Sequence, residues 1–196
     1  MGTDRLRRDA HLTRQRLLGA ALDLFTSVGY KATTTPEIAE RAGIAEATIY
    51  RHFSGKEELL NEVYRSTQEW ALGIVKGQEA QRAVSPLERL DWIGRRFLDA
   101  AVTHPGLMRM LLQQREDRVL DERSLGAARE FREALTQIVA MGKSDGLVRP
   151  GPAELWTGVW LAVIAYGVEK VCAREWTPEH PHVGLMLEGA RRAIAR

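Results

Sequence analysis

Between residues 34 and 53 the apolar positions form two short clusters separated by a glycine. Ile38, Ala39 and Ala42 give the first stretch one apolar edge, and Ile49 and Phe53, one turn apart, give the second its inward edge. Thr34 followed by Glu37 is a capping box that predicts the first helix's start, and Pro36 suits a first turn whose amides have no intrahelical partner. Gly43 enters the left-handed region without steric cost, so the helix is predicted to stop at Ala42 and the chain to turn sharply. Ile44 plugs the angle between the two helices. The outward face of the second is left to Glu46, Ala47, Thr48, Tyr50, Arg51 and His52. Two short helices about such a turn read as a helix-turn-helix, with the second carrying the polar groups a DNA major groove needs.

The flanks extend this pattern. Thr13 to Val28 reads as a helix with Leu18, Ala21, Leu22 and Phe25 on one face, Thr13 as its cap and Gly29 just past its end. After the break at Ser54-Gly55, Lys56 opens a long helix containing Leu59, Leu60, Val63 and Tyr64. Further on, a helix begins at Ser85-Pro86 and runs through Leu87, Leu90, Ile93, Phe97, Leu98 and Ala101, until His104-Pro105-Gly106 ends it and starts another over 107–114. A long helix over 121–141 is predicted to stop at Gly142 and the Asp145-Gly146 turn, and Pro150-Gly151-Pro152 is the next break. Leu155 to Val168 is the most apolar stretch; it falls short of the roughly 20 residues a membrane span needs and is flanked by charge, so it reads as a buried helix. A final helix carries Val183, Leu185, Met186, Leu187, Ala190 and Ile194. The expected fold class is all-α: a flexible basic arm over 1–10, a three-helix head over 11–65, and a larger helical body over 66–196.

Composition changes this picture little. The 196 residues carry 28 Lys and Arg against 26 Asp and Glu, a formal net charge of +2, which is compatible with nucleic-acid binding but does not demand it. Distribution says more: near the N-terminus Arg5, Arg7, Arg8, Arg14 and Arg16 face only Asp4 and Asp9, the composition of a segment that follows a phosphate backbone. Cys172 is the single cysteine, so no intrachain disulfide can form and a reducing cytoplasm suits it. The polar N-terminus lacks the apolar core of a signal peptide. His180 and His182 lie in a proline-rich loop without zinc-ligand spacing, so no metal and no cofactor is expected. No phosphate-cradling glycine loop, nucleophile elbow or carboxylate pair stands out, which leaves an enzyme with a fused head as a weak reading.

Across its first third the chain resembles the TetR family of transcriptional regulators. The resemblance rests on Thr13-Arg14, Ala21 with Leu24-Phe25, Gly29-Tyr30, Thr33-Thr34, Ile38-Ala39, Ala42-Gly43-Ile44, Thr48-Ile49-Tyr50, His52-Phe53 and Lys56-Glu57-Glu58-Leu59. It implies that Thr48, Tyr50 and His52 contact DNA, largely its backbone, and that Lys56 meets a phosphate; Thr34, Thr35, Glu46, Ala47 and Arg51 complete the expected DNA-binding set. Ala45 stands where members often have a capping serine, a loss on the order of 1 kcal/mol if nothing replaces it, and Ala47 stands where glycine is frequent. The resemblance further implies a homodimer, joined through the last two long helices, that reads a palindromic operator in double-stranded DNA. It also implies a repressor released by a small apolar or aromatic effector in the body, with Trp92, Phe97, Met108, Leu111, Trp160 and Tyr166 as lining candidates. The alternative is an architectural or division-control DNA-binding protein that uses the same head without an inducer. If the basic N-terminal segment follows the phosphates, deleting residues 2–8 weakens binding to all DNA sequences alike and flattens its salt dependence, as fluorescence anisotropy across a salt series would measure.

Overall fold

The computed structural model describes residues 2–77, 84–112 and 119–196 of the protein. Every regular element among them is helical, and the one β-type pairing is an isolated antiparallel bridge between Val148 and Ala195. The described residues divide into two compact units, a head of residues 2–66 with 119–124, and a body of 67–77, 84–112 and 125–196.

In the head, α1 (Gly2–Ser27) buries Leu17, Ala20, Ala21, Leu24 and Phe25, the three-and-four spacing of one helix face. That face is rotated from the expected one, for Leu18 and Leu22 are half-buried flanks. The helix also begins at Gly2 and not at Thr13, so the segment expected to be a flexible arm is helical from its second residue. Thr13 is interior to it, its hydroxyl donating to the Asp9 carbonyl at 2.8 Å. Residues 3–18 contain no proline or glycine and are rich in arginine and leucine, so nothing in the backbone stops the helix from extending.

The next helix, α2 (Thr35–Ala42), starts and stops where its local chemistry requires. The Glu37 carboxylate reaches back to accept from both the Thr34 amide, at 2.7 Å, and the Thr34 hydroxyl, at 2.8 Å. These bonds, the hydroxyl's first, hold the Glu37 carboxyl below its ordinary range. At the other end Gly43 has φ 65°, and two amides fold back: Gly43 onto Glu40 O at 2.9 Å and Ile44 onto Ala39 O at 3.0 Å. This is a Schellman turn, which a residue bearing a Cβ enters only with strain. After a short 3-10 segment (Glu46–Arg51), α3 (Lys56–Gly77) begins in the head and continues into the body. Residues 119–124 are fastened to the head by Asn61, whose amide donates to Val119 O at 3.0 Å and whose oxygen accepts from the Asp121 amide at 2.8 Å and the Ser124 hydroxyl at 2.7 Å. Arg65 adds bonds to Asp121 and Glu62.

The body is built from α4 (Pro86–Thr103), α5 (Pro105–Leu112), α6 (Glu122–Ser144), α7 (Ala153–Cys172) and α8 (Pro181–Ile194). Ser85 caps α4 by accepting from the Glu88 amide while Glu88 accepts from the Ser85 amide. Of the two stops expected for the helix over 121–141, α6 passes through Gly142 and runs on to Ser144, and the Asp145-Gly146 turn ends it, with Gly146 at φ 72°. The last part of the expected 107–114 helix lies outside the described residues. At 20 residues, α7 is longer than its apolar pattern suggested, and it is long and apolar enough to cross a membrane on length and composition. It packs instead against α4, α5 and α8, burying Trp160, Ile164, Val168 and Val171. Gly167 faces α8 closely: a Cβ there would meet the Met186 methyl, which would have to swing aside. Gly167→Val is expected to cost about 1–3 kcal/mol by overpacking, read as a lower urea midpoint.

Candidate nucleic-acid interface

The segment expected to form a second α-helix is a six-residue 3-10 turn, Glu46–Arg51. Its bonds close over three residues, Thr48 N to Ala45 O and His52 N to Ile49 O, both 2.9 Å. Ala45, at its start, has no side-chain acceptor to offer, so the tighter turn closes without the capping hydroxyl. Ile49 and Phe53 are buried at 0% and 3% exposure and anchor the segment from below. Glu46, Ala47, Tyr50 and Arg51 are exposed, while Thr48 and His52 are half-buried. The His52 ring lies against Phe53, 6.5 Å between centroids.

Three of the expected residues meet. Thr35, the first residue of α2, places its hydroxyl 3.2 Å from a Glu46 carboxylate oxygen and 3.3 Å from the Tyr50 phenol oxygen. No spacing rule connects positions 35, 46 and 50; only the Gly43 turn, which folds the recognition segment back across the start of α2, brings them together. Thr34 stands beside them in sequence, its hydroxyl committed to Glu37.

Lys56 is engaged inside the head. Its ammonium is turned inward, donating to Tyr30 O at 2.9 Å and Thr33 O at 2.8 Å and lying 4.3 Å from the Tyr30 ring centroid. One of its three protons remains for a phosphate. The start of α3 is also occupied: Glu58 accepts from the Ser54 amide at 2.6 Å, a bond that holds its carboxyl below the ordinary range. Two arginines counted with the basic N-terminus are likewise engaged inside the head. Arg14 pairs with Glu62 at 2.6 Å and lies over the Phe53 ring, and Arg16 reaches Gly43 O at 3.3 Å.

Residues 17–63 match the family of bacterial regulatory proteins named for tetR. Over 141 residues the chain is 32% identical to the HTH-type transcriptional repressor KstR2 of Mycolicibacterium smegmatis, a match that covers 70% of this chain and 68% of that one. The chain belongs to the TetR family. It is a DNA-binding transcriptional regulator. Among solved structures, a TetR family regulator from Marinobacter aquaeolei has the same fold, with a TM-score of 0.79 and 22% identity over 97% of this chain and 98% of that one. The SmeT–triclosan complex is similar at a TM-score of 0.72 and 19% identity, covering 94% and 92%.

The body of this TetR-family regulator sorts the effector candidates. Phe97, Met108, Leu111 and Trp160 are buried in its core. The other two lie nearer the surface: Trp92 is 36% exposed beneath the Arg96 guanidinium, and Tyr166 is 52% exposed and edge-on to Trp176. Helical periodicity alone cannot separate the flank of a stripe from its centre. Trp70 and Phe131, which periodicity did not single out, each bring a ring to 6.2 Å from that of Phe97, the first stacked and the second tilted.

The Lys56 contacts carry a measurable consequence for the head. Lys56→Met keeps the stem and removes the charge, leaving the Tyr30 and Thr33 carbonyls without their donor. A loss of about 1–3 kcal/mol of stability is expected in denaturant titration, whereas an unchanged midpoint would leave the amine free for phosphate alone.

Proposed function

We propose that the protein is a homodimeric repressor of a palindromic operator, released when a small apolar or aromatic effector enters its body, and that it works in the cytoplasm. The observation that carries this reading is the exposed set Glu46, Tyr50 and Arg51 held on the buried pair Ile49 and Phe53. A segment this short offers few base contacts, and a two-fold dimer doubles them over two half-sites. Support for the dimer comes from α7 and α8, where Leu155, Tyr166 and Leu185 are 52%, 52% and 66% exposed. Large apolar side chains on the last two long helices suit a second copy of the chain. Support for an effector comes from the triclosan bound by the structurally similar SmeT, and the buried side chains of Phe97, Met108 and Trp160 give the body the apolar surroundings such a molecule needs. Tyr50 and His52 are assigned to the DNA backbone, with Arg51 to a phosphate or a guanine, which its planar fork fits equally.

Selection of bound DNA from a random pool tests the proposal, followed by a screen for small molecules that release the enriched sequence. An inverted repeat is expected, and Leu185→Glu is expected to yield monomers by sedimentation together with at least tenfold weaker operator binding. Enrichment without two-fold symmetry would sink the dimeric reading. Release by no member of a chemically broad library, together with dispersed binding across genomic DNA, would favour the architectural alternative.

A further inference from the structure

Glu46 is an anion on a surface assigned to a polyanion. Its carboxylate can only accept hydrogen bonds. In the major groove the base-edge donors are the amino groups of cytosine and adenine; the adenine amino group lies between two acceptors that repel a carboxylate, its own N7 and the O4 of the paired thymine, whereas the cytosine amino group has such a neighbour, the O6 of the paired guanine, on one side only. A carboxylate aimed at cytosine must be held there, because an exposed glutamate turns freely about three side-chain bonds.

Thr35 supplies the hold. Thr35 lies on a different element, its backbone fixed in the first turn of α2, and its hydroxyl is 3.2 Å from Glu46 Oε1. A hydroxyl has one proton to give, and an accepting carboxylate takes it. Tyr50 Oη, 3.3 Å from the same Thr35 oxygen, must therefore be a donor to it. The three groups form one directed chain: Tyr50 donates to Thr35, and Thr35 donates to Glu46. A phosphate oxygen also only accepts, so when Tyr50 turns its proton to the DNA backbone it leaves Thr35. The bond from Thr35 to Glu46 does not depend on that proton.

We propose that Thr35 is a positioning residue for sequence reading: its hydroxyl occupies one Glu46 oxygen and orients the other to accept from a cytosine amino group, at one position in each operator half-site. The inference rests on the DNA-binding assignment of the recognition segment and adds a division of labour to it. Tyr50 serves affinity, and Thr35 serves preference through Glu46.

Selections from a random pool are run in parallel on the full-length protein and on Thr35→Val, Thr35→Ser, Glu46→Gln and Tyr50→Phe, each first shown by thermal melting to be folded. Wild type is expected to prefer cytosine at one position per half-site. Thr35→Val, which keeps the shape and loses the hydroxyl, is expected to flatten that position by about tenfold while leaving the others ranked as before. Thr35→Ser is expected to restore it. Glu46→Gln is expected to shift the same position toward adenine, whose N6 and N7 suit an amide. Tyr50→Phe is expected to weaken every sequence alike without reordering them. A ranking unchanged in Thr35→Val but altered in Glu46→Gln would overturn the positioning role, with Glu46 reading unaided. Uniform weakening in Thr35→Val would overturn it in favour of a backbone contact, and an unchanged ranking in Glu46→Gln would remove base reading from Glu46 altogether. A wild-type pool with no enriched sequence would instead sink the operator-binding proposal beneath it.

Discussion

A six-residue 3-10 segment has too few internal bonds to stand alone, so the orientation of Glu46–Arg51 depends on what surrounds it. Ile49 and Phe53 hold it from below, the Gly43 turn fixes its entry, and Lys56 follows its exit. The entry and exit are themselves tied down. Lys56 bonds the carbonyls of Tyr30 and Thr33, in the stretch between α1 and α2, so the start of α3 is joined to the approach to α2. In a 3-10 turn each residue advances by about a third of a turn. A slip of one position would carry Ile49 out and an exposed neighbour in, exchanging an apolar anchor for a polar one. The buried pair therefore sets both stability and which side chains face outward.

The same economy limits the charge available to DNA. Arg14, Arg16, Arg65 and Lys56 all have partners inside the head. Arg14 and Arg65 converge on Glu62, where burial pushes the carboxyl up but their hydrogen bonds and charges outweigh it and hold it below its ordinary range. Removing either arginine to a phosphate would leave a partly buried carboxylate short of a partner, which opposes the transfer. A count of basic residues thus overstates the cations free to neutralise a backbone. Neutral donors, the exposed Tyr50 phenol among them, gain weight accordingly.

Much of the fold was legible because local chemistry decides it. The Thr34–Glu37 pair and the Ser85-Pro86 step announce helix starts, and Gly43 announces a stop, because each acts within four residues of chain. The errors share a physical origin in longer range. Gly142 looks like a stop, yet it lies within α6, where a Cβ would press on Val148; the small residue admits the following chain. Equally invisible to any local rule are the Lys56 contacts, whose two carbonyls come from residues 23 and 26 places earlier. The exposure of Glu46, Ala47, Tyr50 and Arg51 was readable from the sequence, whereas the Thr35–Glu46–Tyr50 meeting was not, since it exists only once the turn has closed. A 3-10 turn and an α-helix share the same short apolar pattern over six residues, and the missing acceptor at Ala45 was the sole local sign of difference.

On the proposed reading, the recognition segment obtains selectivity mainly by exclusion. Ala45 and Ala47 offer no side-chain hydrogen bond, and Pro36 cannot donate. What remains exposed for base edges is a pair of opposite charges, Arg51 and Glu46. The first favours guanine and tolerates phosphate; the second is repelled by phosphate and gains only from an amino donor. An anion in that place therefore raises the free energy of every complex whose sequence lacks the donor, while lowering affinity for the right one less than for the rest. Guanine and cytosine are also the two halves of one base pair, so an arginine and a carboxylate on the same short turn bias the half-site toward G·C content. That bias is stronger the more rigidly the carboxylate is held, because a freely rotating glutamate could turn to solvent and escape the penalty on a wrong sequence.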